Sequence, residues 1–339
     1  MTDRILIIGP AWVGDMVMAQ TLFKLLKSKQ PDVMIDVLAS RWTFSLLGRM
    51  PEVAKAIEMP IGHGELKLKT RFALARALAK ENYDQAIVLP NSFKSALIPW
   101  LARIPKRTGW VGEGRYFLLN DSRRLDKNRY PLMIEQYMAL GLTKDEPLPI
   151  KYPYPAFHLK KEDQAAALLK YSPTYRGRPI LALCAGAEFG PAKRWPAEYY
   201  ADVARQKLAD GWDVWLFGSP NDLPITERIM ALTDDRCDHL AGRLELAETI
   251  DLLSLTSGVV TNDSGLMHIA AALNKPLVAL YGATSPAFTP PLSEGATILK
   301  LKLECSPCKQ RTCIFGHYRC LRDLTPDRVL KTLSAWGHE

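Results

Sequence analysis

The residues of this chain that could do chemistry stand where short apolar runs end. Ile5-Leu6-Ile7-Ile8 passes into Gly9-Pro10-Ala11-Trp12-Val13-Gly14-Asp15-Met16, ahead of an amphipathic stretch. A glycine-bounded turn leading into a helix is a common place for a phosphate, because the helix-start N–H groups point outward there. This turn departs from the phosphate-loop pattern: Asp15 stands where that pattern needs its lysine, and G-x-G-x-x-G does not fit either. A carboxylate at the mouth repels phosphate and suits a general base that takes a proton from an attacking hydroxyl. The competing use is a helix cap, for which aspartate is a favoured residue.

A related device follows Val259-Val260-Thr261: the turn Asn262-Asp263-Ser264-Gly265, then Leu266-Met267-His268. Small residues and unpaired N–H groups at a helix start make an anion site, and His268 lies one turn in. The segment Cys184–Pro196 holds Gly186, Gly190, the pair Lys193-Arg194, and a proline suited to a first helical turn. It reads as a loop facing a diphosphate, or as a solvated basic turn. Asp222, which closes Phe217-Gly218-Ser219-Pro220-Asn221-Asp222, is a candidate for ribose hydroxyls, as acids at strand ends can be. Lys94 within Leu89–Ser95 and Arg107 within Lys106–Trp110 are candidates for an anionic acceptor; a solvated surface is the commoner fate of such cations. No aspartate-x-aspartate triplet is present to hold a metal on a diphosphate. Lys193 and the helix start at Ser264 are therefore left to receive one. A G-x-S-x-G nucleophile elbow is also absent.

Cys305, Cys308, Cys313 and Cys320 follow one another closely, with His317 before the last. The spacing allows a structural zinc site of four thiolates. Buried thiols or paired disulfides are the alternatives.

Positioning these groups requires an α/β frame. Ile5–Ile8, Met34–Leu38 and Ala86–Leu89 read as buried strands, and Asp15–Lys29, Thr70–Lys80 and Tyr130–Leu140 as helices. Four prolines between Glu146 and Pro155 forbid a helix interior and suit a semi-rigid linker. The alternation then restarts with strands Ile180–Cys184, Val214–Phe217, Val259–Thr261 and Leu277–Tyr281, separated by helices Ala197–Leu208, Leu246–Leu255 and Gly265–Leu273. This is the pattern of parallel sheets. Two halves result, 1–155 and 156–322, with a last helix in 323–339. Parallel sheets bind ligands outside the carboxyl ends of their strands, so a cleft between two such halves is expected.

At 339 residues, with 47% hydrophobic and 24% charged side chains, the chain exceeds one typical domain of roughly 100–200 residues and is neither disordered nor collagen-like. Lysine and arginine outnumber aspartate and glutamate 44 to 36, a formal charge of +8, which favours an anionic partner. Six cysteines are too few for a disulfide scaffold and suggest a reducing, cytoplasmic setting. The first residues read as a strand rather than a signal peptide. No run approaches the ~20 apolar residues of a spanning helix, so any membrane contact is expected to be peripheral.

Taken together, Gly9–Met16, Leu89–Ala96, Arg107–Trp110, Gly186–Pro196 and Thr261–His268 resemble the bacterial ADP-heptose:lipopolysaccharide heptosyltransferases, over nearly the whole chain. The resemblance implies a B-type glycosyltransferase fold, with two Rossmann-like domains facing across a cleft and inversion at the anomeric carbon without an obligatory metal or other cofactor. It assigns the base to Asp15, the diphosphate lysine to Lys193, and the donor loop to Asp263, Ser264, Gly265, Leu266 and His268. Asp222 joins the donor candidates. The donor would be ADP-heptose. The acceptor would be the lipopolysaccharide inner core, bearing heptose and acidic Kdo on lipid A and met at the cytoplasmic face of the inner membrane, which accounts for the charge without nucleic acid. The last helix, near Pro326–Trp336, is expected on the N-terminal domain. The four-cysteine loop is not a feature of every member. A related heptosyltransferase adding an earlier or later sugar, and a non-catalytic nucleotide-sugar or lipopolysaccharide-binding protein, are the competing readings.

Overall fold

The computed structural model describes residues 3–62, 64–172 and 175–336. They divide into two units, Met1–His158 and Leu159–Glu339. In the first unit the order is β1 (Arg4–Ile8), α1 (Val13–Lys29), β2 (Met34–Ala39), α2 (Phe44–Leu47), β3 (Lys55–Glu58), α3 (Leu68–Leu78), β4 (Gln85–Val88), α4 (Phe93–Leu101), β5 (Lys106–Trp110), β6 (Asp121–Arg123) and α5 (Met133–Leu140). The strands form one parallel sheet in the order β3-β2-β1-β4-β5-β6. β1 and β4 carry unbroken apolar runs, Ile5–Ile8 and Ala86–Val88, because helices cover both faces of such a sheet; β2 is interrupted by the buried Asp36, which pairs with Arg4 at 2.8 Å, and Leu6, Ile7, Ala86 and Ile87 are fully buried.

The second unit repeats the plan. It contains α6 (Lys161–Tyr171), β7 (Ile180–Cys184), α7 (Ala197–Ala209), β8 (Asp213–Phe217), α8 (Leu223–Leu232), β9 (Asp238–His239), α9 (Leu246–Ser254), β10 (Gly258–Asn262), α10 (Gly265–Ala272), β11 (Leu277–Tyr281), β12 (Ala296–Lys300), α11 (Arg319–Arg322) and α12 (Pro326–Ser334). Its sheet, also parallel, runs β12-β11-β10-β7-β8-β9. Each sheet thus grows from its first strand in both directions, and the reversal falls between β1 and β4 and between β7 and β10. In doubly wound sheets that switch point opens a crevice at the carboxyl ends of the strands, where ligands bind. The predicted α/β class and Rossmann-like halves are what the structure contains.

Three details differ from the sequence reading. The unit boundary falls after His158 rather than Pro155, because the chain past the prolines stays pinned to the first unit: Gln20 pairs with Ala156 through both its amide atoms, at 2.8 and 3.0 Å, and the His158 N–H donates to the Arg49 carbonyl at 2.8 Å. The segment 106–110, from which Arg107 was expected to reach an anionic acceptor, is strand β5. The last helix, expected on the N-terminal domain, instead places Val329 and Leu333 in the core of the second unit, where α12 packs on α7 and Trp336 lies against Gly258. The Trp195 indole donates to the Leu324 carbonyl at 2.7 Å, which fixes the entry to that helix. Among the described residues no helix is long and apolar enough to cross a membrane.

Candidate active site

At the first switch point α1 starts directly after β1. Trp12 is its N-cap and makes no side-chain cap, and Asp15 is the third helical residue. The cap position is thus filled by another residue, and Asp15 instead places a carboxylate in the first turn, where the helix dipole favours negative charge. α5 packs on α1, and its buried Tyr137 phenol is pushed far above its ordinary range, first by burial and then by the Asp15 charge. Across the switch, β4 ends at Val88 and α4 opens at Phe93, with Lys94 as its second, half-buried residue. Arg107 does not join them. It is level with Leu6 and Ala86, away from the carboxyl ends, and its guanidinium is spent on the carbonyls of Leu118 and Ile104 at 2.7 and 2.6 Å. It fastens β5 to the chain that follows, so the acceptor assignment for Arg107 is withdrawn.

At the second switch point the loops after β7 and β10 are joined by an ion pair. Lys193, in a single 3-10 turn (Pro191–Lys193), places its ammonium 2.7 Å from the Asp263 carboxylate. Thr284, just past β11, donates to the same carboxylate oxygen. Two donor residues predicted separately therefore act as one group. Asn262 holds the frame, and only the structure shows how: its amide donates to the Ala185 carbonyl at 2.7 Å, and its oxygen accepts from the Trp195 N–H and the Tyr200 hydroxyl, both at 3.1 Å. Ser264 is the N-cap of α10 with no side-chain cap, so the N–H groups at Gly265 and Leu266 open the helix. His268 is buried within the helix, its Nδ1 makes no hydrogen bond, and desolvation pushes its pKa down to about 4. It is a neutral imidazole near Asp263 and Lys193.

Asp222 is only 7% exposed. One oxygen accepts from the Ser219 N–H and hydroxyl at 2.9 and 2.8 Å. The other makes no hydrogen bond and lies 3.7 Å from an Arg194 nitrogen. A Cβ at Gly186 would come within 2.2–2.4 Å of this carboxylate, so only glycine lets the β7 loop lie against it. Gly190, at a φ of +144°, likewise permits close contact with the backbone of Arg311. The Ala192 N–H donates to the Arg311 carbonyl at 3.0 Å. Arg311 and Lys193 both stand over the Phe189 ring, at 5.5 and 5.0 Å from its centre. Sequence reasoning missed Arg311. The only available signal was its place beside the cysteines.

Cys305, Cys308, Cys313 and Cys320 line one small cavity together with His317 and Ala192, immediately behind the turn that carries Lys193. Burial, then the other three sulfurs, pushes the Cys320 thiol up, whereas backbone N–H groups, that of Tyr318 first, pull the Cys313 thiol down. Cys313 Sγ lies 3.9 Å from His317 Nδ1, and Cys320 backs onto Gly282. Among the described residues no three His, Cys, Asp or Glu side chains are placed to hold a metal ion. The zinc site suggested by the spacing is not assembled, and the loop's visible work is to support the Lys193 turn.

The first unit thus carries a carboxylate at its switch point, and the second a lysine–aspartate pair beside an open helix start. The family model for glycosyltransferase family 9 (heptosyltransferase) matches residues 71–319. The chain belongs to that family. It is 46% identical, over 98% of each chain, to lipopolysaccharide heptosyltransferase 2 of Escherichia coli, and 49% identical, again over 98% of each, to lipooligosaccharide heptosyltransferase 2 of Haemophilus influenzae. Its structure is similar to that of E. coli ADP-heptose lps heptosyltransferase II, with a TM-score of 0.88 at 45% identity over 98% of both chains. A family 9 glycosyl transferase from Veillonella parvula shares the fold at 22% identity, with a TM-score of 0.87. As a family 9 glycosyltransferase the protein has the two Rossmann-like units of the B-type fold, and Lys193, Asp263 and His268 stand on its second unit.

Proposed function

We propose that this glycosyltransferase moves a heptose from ADP-heptose onto the first heptose of the lipopolysaccharide inner core, with inversion. The observation that supports it most is the near full-length likeness to proteins named heptosyltransferase 2, joined to the division of labour between the switch points. An acceptor hydroxyl oxygen attacks the anomeric carbon as the bond from that carbon to the diphosphate oxygen breaks. Asp15 takes the hydroxyl proton, and ADP leaves with the electron pair of the broken bond. Lys193, held in place by Asp263, and the N–H groups of Gly265 and Leu266 at the open start of α10 receive the charge developing on the diphosphate. Ser264, itself extended, leads the chain into that helix start as its N-cap, and neutral His268 supports the Asp263–Lys193 pair without adding a competing charge. The second Asp222 oxygen accepts from a ribose hydroxyl. Lys94 meets acidic groups of the acceptor, whose lipid keeps the reaction at a membrane surface on the cytoplasmic side.

The test is the mass of acceptors carrying zero, one or two heptoses after incubation with ADP-heptose. One added heptose on the one-heptose acceptor alone is expected. Gain on the acceptor without heptose, or only on that with two, would reassign the sugar added. No gain on any acceptor, with ADP-heptose still bound, would leave a non-catalytic binding protein.

A further inference from the structure

Two arginines of the first unit are buried without a carboxylate partner among their hydrogen bonds. Arg71 donates to the carbonyls of Leu66, Lys94 and Glu65. Arg115 donates to those of Trp110, Pro90 and Ser92. Each guanidinium thus bolts a loop to the start of α4: Arg71 the segment before α3, and Arg115 the segment after β5. Both loops lie at the carboxyl end of the first sheet, the end that carries Asp15. They present what a folded surface ordinarily hides. Leu68 and Phe72, one turn apart on α3, are more than half exposed, as is Phe117, which meets Phe93 at the start of α4 edge-on at 6.0 Å.

The same rim carries Lys67, Lys69 and Lys94. Its two acids are engaged locally: Glu65 with Lys67 at 2.8 Å, and Glu113 with the Phe93 N–H at 2.7 Å. Apolar side chains interleaved with excess cations complement a surface that is apolar beneath and anionic above. A second copy of the chain fits less well, since a two-fold contact would bring these lysines against one another. We propose that this rim is the surface by which the protein rests on an anionic lipid bilayer. Leu68, Phe72 and Phe117 enter the headgroup layer, and Lys67 and Lys69 meet lipid phosphates, while Lys94 keeps its place toward the acceptor. The proposal rests on the reading above, in which the acceptor is anchored in a membrane, and names the face that meets it.

The whole protein is sedimented with vesicles of phosphatidylglycerol and phosphatidylcholine, and with phosphatidylcholine alone. Binding to the anionic vesicles only is expected. The pair Leu68→Ser and Phe72→Ser, and separately Phe117→Ser, should lower partitioning at least ~10-fold, as loss of buried apolar area predicts. Lys69→Gln should lower it about 5-fold, an effect that high salt removes. Failure of the wild type to sediment, or undiminished binding by both serine variants, overturns the proposal. So does light scattering that shows a dimer which the variants dissociate. A deacylated, water-soluble acceptor separates this from the function itself: the serine variants should use it as the wild type does. If the wild type does not use it, the proposed reaction fails while the vesicle result stands.

Discussion

Asp15 is the third residue of α1, not its cap, so replacing it tests chemistry more than helix stability. Asp15→Asn keeps the size but cannot take a proton. Its kcat should fall at least ~10²-fold, the usual worth of a positioned base, with ADP affinity and melting temperature nearly unchanged. Near-normal turnover would remove the base assignment. Lys193 and Asp263 test each other. Lys193→Ala should weaken ADP binding by ~1.5–3 kcal/mol, the range for hydrogen bonds to charged groups. Because the two are paired at 2.7 Å, adding Asp263→Asn should cost less than the sum of the single changes, as calorimetry in a double-mutant cycle would show. Unchanged ADP affinity in Lys193→Ala would make the lysine only a bolt between two loops. Both residues were legible as donor candidates because each follows a buried strand. Their pairing was not, since seventy residues separate them and only the adjacency of β7 and β10 brings them together.

Among the elements, the apolar strands and long helices could be read directly, and the polar strands could not. β6 and β3 lie at sheet edges with residues such as Asp121-Ser122-Arg123, and β5 owes its place to pairing with β4 rather than to an apolar run. Arg107 was misjudged for that reason: a cation on a presumed loop became a strand residue whose donors serve carbonyls. The last helix is the other reversal. Val329 and Leu333 are essentially inaccessible and belong to the second unit's core. Leu333→Ala should therefore destabilise that unit by ~2–5 kcal/mol, the range for emptied core positions. Denaturant unfolding followed by probes in each unit should show the second unit's transition moving earlier while the first unit's stays in place. A shift of the first unit alone would restore the family expectation for this helix.

At the scale of the whole molecule the consequences are electrostatic. His268 has its pKa lowered to about 4 by burial, so the unfolded chain binds a proton between about pH 6.5 and 4 that the folded protein refuses. Stability from this group is complete above pH 6.5 and is lost as pH falls toward 4, by an amount on the order of 3 kcal/mol. His268→Gln should flatten that part of the stability curve, and an identical pH dependence in the variant would show that the histidine titrates alike in the folded and unfolded chain. The charge of +8 acts at longer range. Added salt should raise the acceptor KM by screening exposed cations. Lys94→Ala should raise acceptor KM well above any change in donor KM and blunt the salt effect; equal changes for both substrates would take Lys94 out of acceptor binding.

The sequence by itself determined the two α/β halves, because buried parallel strands must be written as apolar runs between amphipathic helices. It also determined where chemistry could lie, because small and charged residues collect where such strands end. Tertiary structure decided the rest. Strand order placed Gly9–Asp15 beside the β4 loop and Lys193 beside Asp263, and the chain past β12 set Arg311 over the ring that Lys193 shares and gathered four closely spaced cysteines around one cavity. The fold also turned two arginines inward to expose an apolar rim. The pairings across strands are not local in the chain: they depend on which strand lies next to which, and a hydrophobic pattern that specifies a strand leaves its neighbours open.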